Sequence, residues 1–206
     1  MNETRNTSKA ALLPVAVGIV LLLGIIFWAK GLYNDMVVQD EGVKTAWSQV
    51  ENQYQRRADL IPNLVNTVKG YAAHERETLE GVTEARAKAT STTIDPSHLD
   101  PASLQNFQSA QSQLSSALSR LLLVVEKYPD LKANENFQTL MAQLEGTENR
   151  ISVERKRFNE TAQQYNTSIR SFPANLVAGV FGFDPKAYFT AESGADKAPT
   201  VDFGTR

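Results

Sequence analysis

The chain has 206 residues, with 21 Lys and Arg against 23 Asp and Glu, a formal net charge of −2, and no cysteine. So even a balance removes the electrostatic case for a nucleic-acid partner. The missing thiols exclude disulfides, thiolate zinc sites, a lipidated cysteine and thiol catalysis.

In chain order, residues 1–9 form a short polar flank and residues 10–30 a predicted transmembrane anchor. The uncharged run Ala10 to Ala29 is about 20 residues, roughly 30 Å as a helix, which matches a bilayer's hydrocarbon core. Lys9 and Lys30 bracket it, and Trp28 and Tyr33 sit at its far end, where amphipathic aromatics favour the headgroup layer. A cleaved signal peptide is the rival reading. It fits less well, because signal-peptide apolar regions run about 7 to 15 residues and Ala29-Lys30-Gly31 is a poor cleavage site. Arg5 and Lys9 before the run are matched by Lys30 and Lys44 after it, so the lysine and arginine balance is nearly neutral. The amino terminus and the acidic Asp35, Asp40 and Glu41 tilt the reading toward an internal N-terminus, with the bulk of the chain outside the cytoplasm.

Residues 31–191 read as one helical domain. From Met36, alternating steps of four and three give Met36, Asp40, Val43, Trp47, Val50, Tyr54, Arg57, Ile61, Leu64, Val68 and Tyr71, the seam of a long helix packed at a shallow angle. Asp40 and Arg57 are its breaks. A helix-favouring stretch at Glu75–Ala89 and a polar loop at Thr90–Ser97 follow. Asp100 is a predicted N-cap with Pro101 in the first helical position, opening a second seam from Leu104 to Tyr128. After the Tyr128-Pro129-Asp130 turn, a third seam places large residues seven apart at Leu144, Ile151, Phe158, Tyr165 and Phe172, ending at Pro173. A break between Tyr71 and Glu75 makes four helices, and continuity makes three. Without strand-like alternation of useful length, the expected fold is all-α: an N-terminal transmembrane helix followed by an elongated antiparallel three- or four-helix bundle. Residues 192–206 are expected to be an unstructured tail.

The unusual residues cluster around Pro62. Proline cannot donate to the Ala58 carbonyl, so a kink is expected, with Asn63, Asn66 or water satisfying the oxygen. A binding notch there and a purely structural kink are both open readings. Arg57, on the seam, needs an acidic partner, and Glu148 and Glu154 are the candidates. Setting Arg57 level with Glu154 puts Trp47 near Tyr165, and cysteines at Val50 and Thr161 are then expected to crosslink. Ala174 to Phe183, with Phe181 and Phe183, is too short to span a membrane and too apolar to leave in water. It is expected on the bilayer surface, on a neighbouring subunit or folded back on its own bundle.

Support for catalysis is thin. The histidines are His74 and His98 alone, no nucleophile system has plausible spacing, and His74-Glu75 lacks the second histidine of a zinc-protease helix. His74 reads as a structural or capping residue. Glu75, Glu77, Glu80 and Glu84, interleaved with Arg76, Arg86 and Lys88, read as a solvated face. Asp202-Phe203-Gly204 imitates a kinase magnesium triplet without any accompanying kinase motif.

Several segments together resemble the LemA family of bacterial membrane proteins. They are Ala46-Trp47-Ser48-Gln49-Val50, Arg56 to Val65, Val68 to Glu75, Leu131 to Phe137, Thr147 to Ile151, Tyr165-Asn166, Phe172-Pro173 and Phe181-Gly182-Phe183. The terminal Pro199-Thr200-Val201-Asp202-Phe203 is also similar to that family's ending. The resemblance implies a single-pass anchor in the bacterial cytoplasmic membrane and a helical bundle, and supplies no reaction, catalytic residue, metal or cofactor. The expected function is a non-enzymatic scaffold or adaptor that contacts lipid through its anchor and acts through homo-oligomers or an envelope protein partner. An envelope hydrolase or its regulator, or a membrane-shaping assembly, is the alternative. Candidate interaction and structural residues are Trp47, Arg57, Asp59, Pro62, Asn63, His74, Glu148, Glu154, Phe172, Phe181 and Phe183.

Overall fold

Anchor and first seam form a single rod. In the computed structural model, which describes residues 4–190 with side chains from residue 14 onward, α1 runs unbroken over Thr4–Tyr71. Its 68 residues span about 100 Å. No breaker separates the two halves, and Gly31 is tolerated within the helix. The side chains from Pro14 to Trp28 are all exposed, as a lipid-facing segment requires. Among the described residues this is the one helix long and apolar enough to cross a membrane.

The chain then turns at Ala72–Glu75 and returns as α2 (Arg76–Ser91), which resolves the three-or-four question in favour of four long helices. Gly70 weakens the end of α1, and burial of Leu79 and Val82 on the returning helix rewards the turn. α3 (Pro101–Val125) begins where its signals predict, with the Asp100 carboxylate accepting from the Ala102 and Ser103 amides at 2.9 and 3.0 Å. A single-turn α4 (Pro129–Lys132) leads to α5 (Glu135–Arg170), capped by Asn134, which accepts from the Phe137 amide at 3.0 Å. α6 (Ala174–Phe181) closes the helical part, and Gly182 ends it in the left-handed region at φ 74°. A side chain there would be strained.

α1 is flanked by α2 and α5, and α3 packs on α2 diagonally across from α1. The backbones of α3 and α5 do not close on each other, so one seam of the bundle stays open. The core divides into two clusters: Met36 to Tyr54 of α1 with Phe107, Phe158, Tyr165 and Phe189 near the membrane, and Ile61 to Ala72 with Val82, Leu114, Leu121 and Leu144 beyond. Arg57 lies between them.

Two expectations are corrected. Arg57 pairs with Glu148 and not with Glu154, which instead meets Arg157 at 3.3 Å on its own helix. The register differs by about seven residues of α5, about 10 Å: Trp47 meets Phe158 and not Tyr165, and Gly42, not Val50, faces Thr161. Both registers match apolar with apolar, because the seam repeats every seven residues. Knobs of aromatic size select between them. Phe172 also leaves the seam. α5 ends at Arg170, Ser171 is extended, and Phe172 is 82% exposed, since a residue preceding proline is pushed out of helical geometry.

Candidate functional site

The two polar breaks in the α1 seam are the centres of two buried polar networks. Arg57 is 2% exposed. Its Nη1 donates to Glu148 Oε1 at 2.7 Å and to Ser115 Oγ at 3.1 Å, and its Nη2 donates to Gln111 Oε1 at 2.6 Å. The guanidinium also lies 5.1 Å from the Tyr54 ring centroid. Gln111 passes the network on, donating through Nε2 to the Ala89 carbonyl at 3.2 Å. One arginine thus ties α1 to α3 and α5, and through Gln111 to α2. With Glu148 half-exposed, the pair is wet at one end, which lowers the desolvation cost of the buried charge.

Asp40 centres the second network. Lys186 Nζ lies 2.9 Å from Asp40 Oδ1 and donates to the Ser97 carbonyl at 3.0 Å, while Lys44 Nζ meets Asp40 Oδ2 at 2.9 Å. Burial pushes the Asp40 carboxyl up, but hydrogen bonds from Lys186 and Lys44 outweigh it and hold the group below the ordinary carboxylate range. Burial, then the nearby charges of Asp40 and Asp184, push the Tyr165 phenol up to about 12.

Lys186 belongs to an extended strap that follows α6 and runs back along α5. The Asn166 side chain donates to the Lys186 carbonyl and accepts from its amide, both at 2.8 Å. Asn159 does the same for Phe189, both at 2.9 Å. Seven helical residues rise about 10.5 Å and three extended residues about 10 Å, so the clamp can repeat without strain. Phe189 is then stacked 5.8 Å from Trp47, which also meets Phe107 and Phe158 edge-on. Sequence reasoning missed the strap. Its available signal was the heptad spacing of Asn159 and Asn166 on the buried face of α5.

Pro62 does free the Ala58 carbonyl, but its partner is Arg86 of α2, whose Nε donates to it at 2.7 Å. Arg86 is therefore not part of a solvated face, and neither asparagine fills the role. Asp59, Pro62 and Asn63 are exposed on the outer side of α1, with Asp59 accepting from Gln55 at 2.8 Å. His74 is exposed in the α1–α2 turn. It caps neither helix, and Glu75, at the N-cap position of α2, makes no side-chain cap either.

The apolar 174–183 segment divides its faces. Ala174, Val177 and Ala178 are buried against the bundle, and Phe181 and Phe183 hold the Tyr33 ring edge-on at centroid distances of 4.9 and 5.5 Å. The opposite face leaves Phe172, Leu176, Val180 and Phe181 in the open, Val180 at 80%. Tyr33 stands three residues past Lys30, about 5 Å along α1. The exposed patch is thus at the point where the rod leaves its apolar stretch.

The sequence carries relationships that agree with this architecture. The profile of the LemA family matches residues 46–203. Magnetosome protein MamQ of Magnetospirillum gryphiswaldense is 25% identical over 201 residues, covering 89% of this chain and 74% of its own. Magnetosome protein MamQ 2 of Paramagnetospirillum magneticum is 26% identical over 201 residues, covering 88% and 74%. Protein LemA of Metamycoplasma hominis is 27% identical over 160 residues, covering 77% and 69%. With its apolar N-terminal helix and its all-α bundle, this membrane protein belongs to the LemA family.

Proposed function

We propose that the protein is a non-enzymatic, membrane-anchored scaffold of the bacterial cell envelope, in which α6 rests on the same bilayer that the N-terminal half of α1 crosses. The observation that carries this reading is the apolar face of Phe172, Leu176, Val180 and Phe181, whose Phe181 ring meets Tyr33 about 5 Å along the rod from Lys30. Interfacial helices bury such faces about 5–10 Å into the headgroup boundary. Two attachments, a spanning helix and a surface helix, fix the tilt of the bundle, so the rod projects its outer surface to other copies or to an envelope partner at a set angle. The anchor lies in the cytoplasmic membrane with the bundle outside the cytoplasm. The names of the magnetosome relatives support a role tied to a bacterial membrane structure.

The test uses full-length protein in phosphatidylcholine and phosphatidylglycerol vesicles containing brominated lipid. Trp47 is buried in the bundle, and Trp28→Phe removes the anchor's own fluorophore. Val180→Trp on that background is expected to be quenched by the bromine. Emission that is unquenched by bromine yet loses its blue shift on dilution overturns lipid contact and assigns the patch to a neighbouring copy. Mass measurement of the complex extracted in mild detergent then reads the assembly directly.

A further inference from the structure

The open seam between α3 and α5 ends, on the side away from the membrane, in a trough of about 330 Å³ floored by Leu118 and Leu122 of α3 and by Met141 and Leu144 of α5. Beside it Leu123 stands on the outward edge of α3, 69% exposed. The helix that presents this edge is almost without charge. Arg120 is the single charged residue among the 25 of α3, whereas the shorter α2 beside it carries Arg76, Glu77, Glu80, Glu84, Arg86 and Lys88. Surfaces that face water are ordinarily about one quarter to one third charged, and depletion of charge marks the centre of a protein interface. The bilayer is too far away to be the occupant. Leu64, in the trough wall, lies about 50 Å along α1 from Lys30.

The charges flanking α3 have a handedness that selects the occupant. Arg120 lies on the α2 side of the helix, in a groove with Glu84 and Lys88. Glu145 lies on the α5 side, in the trough wall with Ser119 and Leu122, and so within about one helical turn of the height of Arg120. Both are exposed, and among the described residues neither has an ion-pair partner. Copies anchored in one membrane share direction and height, so the two-fold axis of a pair runs along the membrane normal and the two α3 helices are parallel. A half-turn about that axis exchanges the α2 side for the α5 side and leaves height unchanged. Arg120 of each copy therefore comes opposite Glu145 of the other, twice in one interface. A mixed pair of charges on one level is what a self-complementary surface requires.

We infer that the occupant of the α3–α5 trough is α3 of a second copy of this chain, in a parallel two-fold pair closed by two Arg120 to Glu145 ion pairs. Each copy lays the outward edge of its α3, with Leu123, over the apolar floor of the other, so each trough is filled by the same element that borders it. The inference rests on the scaffold reading above and names its partner. Two bundles held upright at one height then meet along their distal halves, clear of α6 and of the strap.

The cysteine-free chain makes the test direct. Ser119 sits between Leu122 and Leu123 around the helix, facing the axis, so Ser119→Cys meets its own counterpart within disulfide reach. The full-length variant is oxidised in isolated bacterial membranes and the covalent dimer is read on a non-reducing gel, with Ser48→Cys, on the exposed side of α1, as the collision control. Ser119→Cys is expected to give about tenfold more dimer than the control. Adding Arg120→Glu, which sets like charges opposite each other, should lower that yield about tenfold. Adding Glu145→Arg as well should restore it to within about twofold. Both positions are exposed, and circular dichroism of the extracted chain reports that the bundle stays folded. No dimer, equal dimer from both cysteines, or a loss that the charge exchange does not restore each overturns the inference. Val180→Trp quenching reads α6 separately. Quenching without crosslinking overturns this pair alone, and crosslinking without quenching overturns the lipid contact alone.

Discussion

The two halves of the bundle share a seam but not a way of closing it. The membrane-proximal half packs Trp47, Phe107, Phe158 and Phe189 around one another and is clamped from outside by Asn159, Asn166 and Lys186. The distal half is mostly aliphatic, with Phe137 as its one fully buried aromatic ring, and its α3–α5 side is open among the described residues. Aromatic knobs of different shape define a single register, whereas a uniform aliphatic seam accepts several. The half that carries α6 and adjoins the apolar stretch of α1 is the half with the more specific packing.

That comparison can be broken at Trp47. Trp47→Ala removes the ring on which three other rings converge and is expected to cost about 4 kcal/mol in denaturant unfolding. Leu121→Ala in the distal half should cost about 3 kcal/mol and leave the strap in place. Next comes the layer between the halves. Arg57→Ala, which strands Gln111 and Glu148, should cost about 3 kcal/mol, while Arg57→Met, which fills the space, should cost about 1 kcal/mol or less. If the two are equal, polar bonding and not packing makes the layer.

Asn166→Ala removes both bonds to Lys186 and should cost about 2 kcal/mol. The loss should be confined to the proximal half, read as faster proteolysis within 184–190 with unchanged amide exchange in α3. Arg86→Ala, which orphans the Ala58 carbonyl, should cost about 1 kcal/mol. The same substitution on a Pro62→Ala background, where an amide returns to that carbonyl, should cost less than half as much. The smallest effect is a pH slope. Because the Asp40 carboxyl is held below its ordinary value, its contribution is complete above about pH 4 and is lost as the pH falls through the lowered value. The melting temperature between pH 6 and pH 2.5 should fall more steeply in the natural chain than in Asp40→Asn.

Much of the fold was legible because it rests on local rules. The apolar run, the Asp100-Pro101 start and the heptads at Leu144, Ile151, Phe158 and Tyr165 each express a period or a cap that does not depend on neighbours. The polar breaks at Asp40 and Arg57 were visible as breaks, and buried charge does demand partners. Which partners was not legible for Arg57, since Glu148 and Glu154 satisfy the same chemistry six residues apart. Arg86 looked like one more charge on a solvated helix, because nothing in its own segment signals a carbonyl freed 28 residues earlier. Phe172 kept the heptad on paper and lost it in space, because the helix ended two residues sooner.

By itself, the sequence determined a membrane-spanning apolar helix, an all-α bundle, the start of α3 and most of the residues that had to be buried, for these follow from hydrophobicity and periodicity along the chain. Tertiary structure decided the register of α1 against α5, the ownership of each buried charge, the asparagine-clamped strap and the division of α6 into a buried and an exposed face. Those depend on which surfaces meet, and a repeat of seven residues leaves that choice to the shapes of the side chains that interlock.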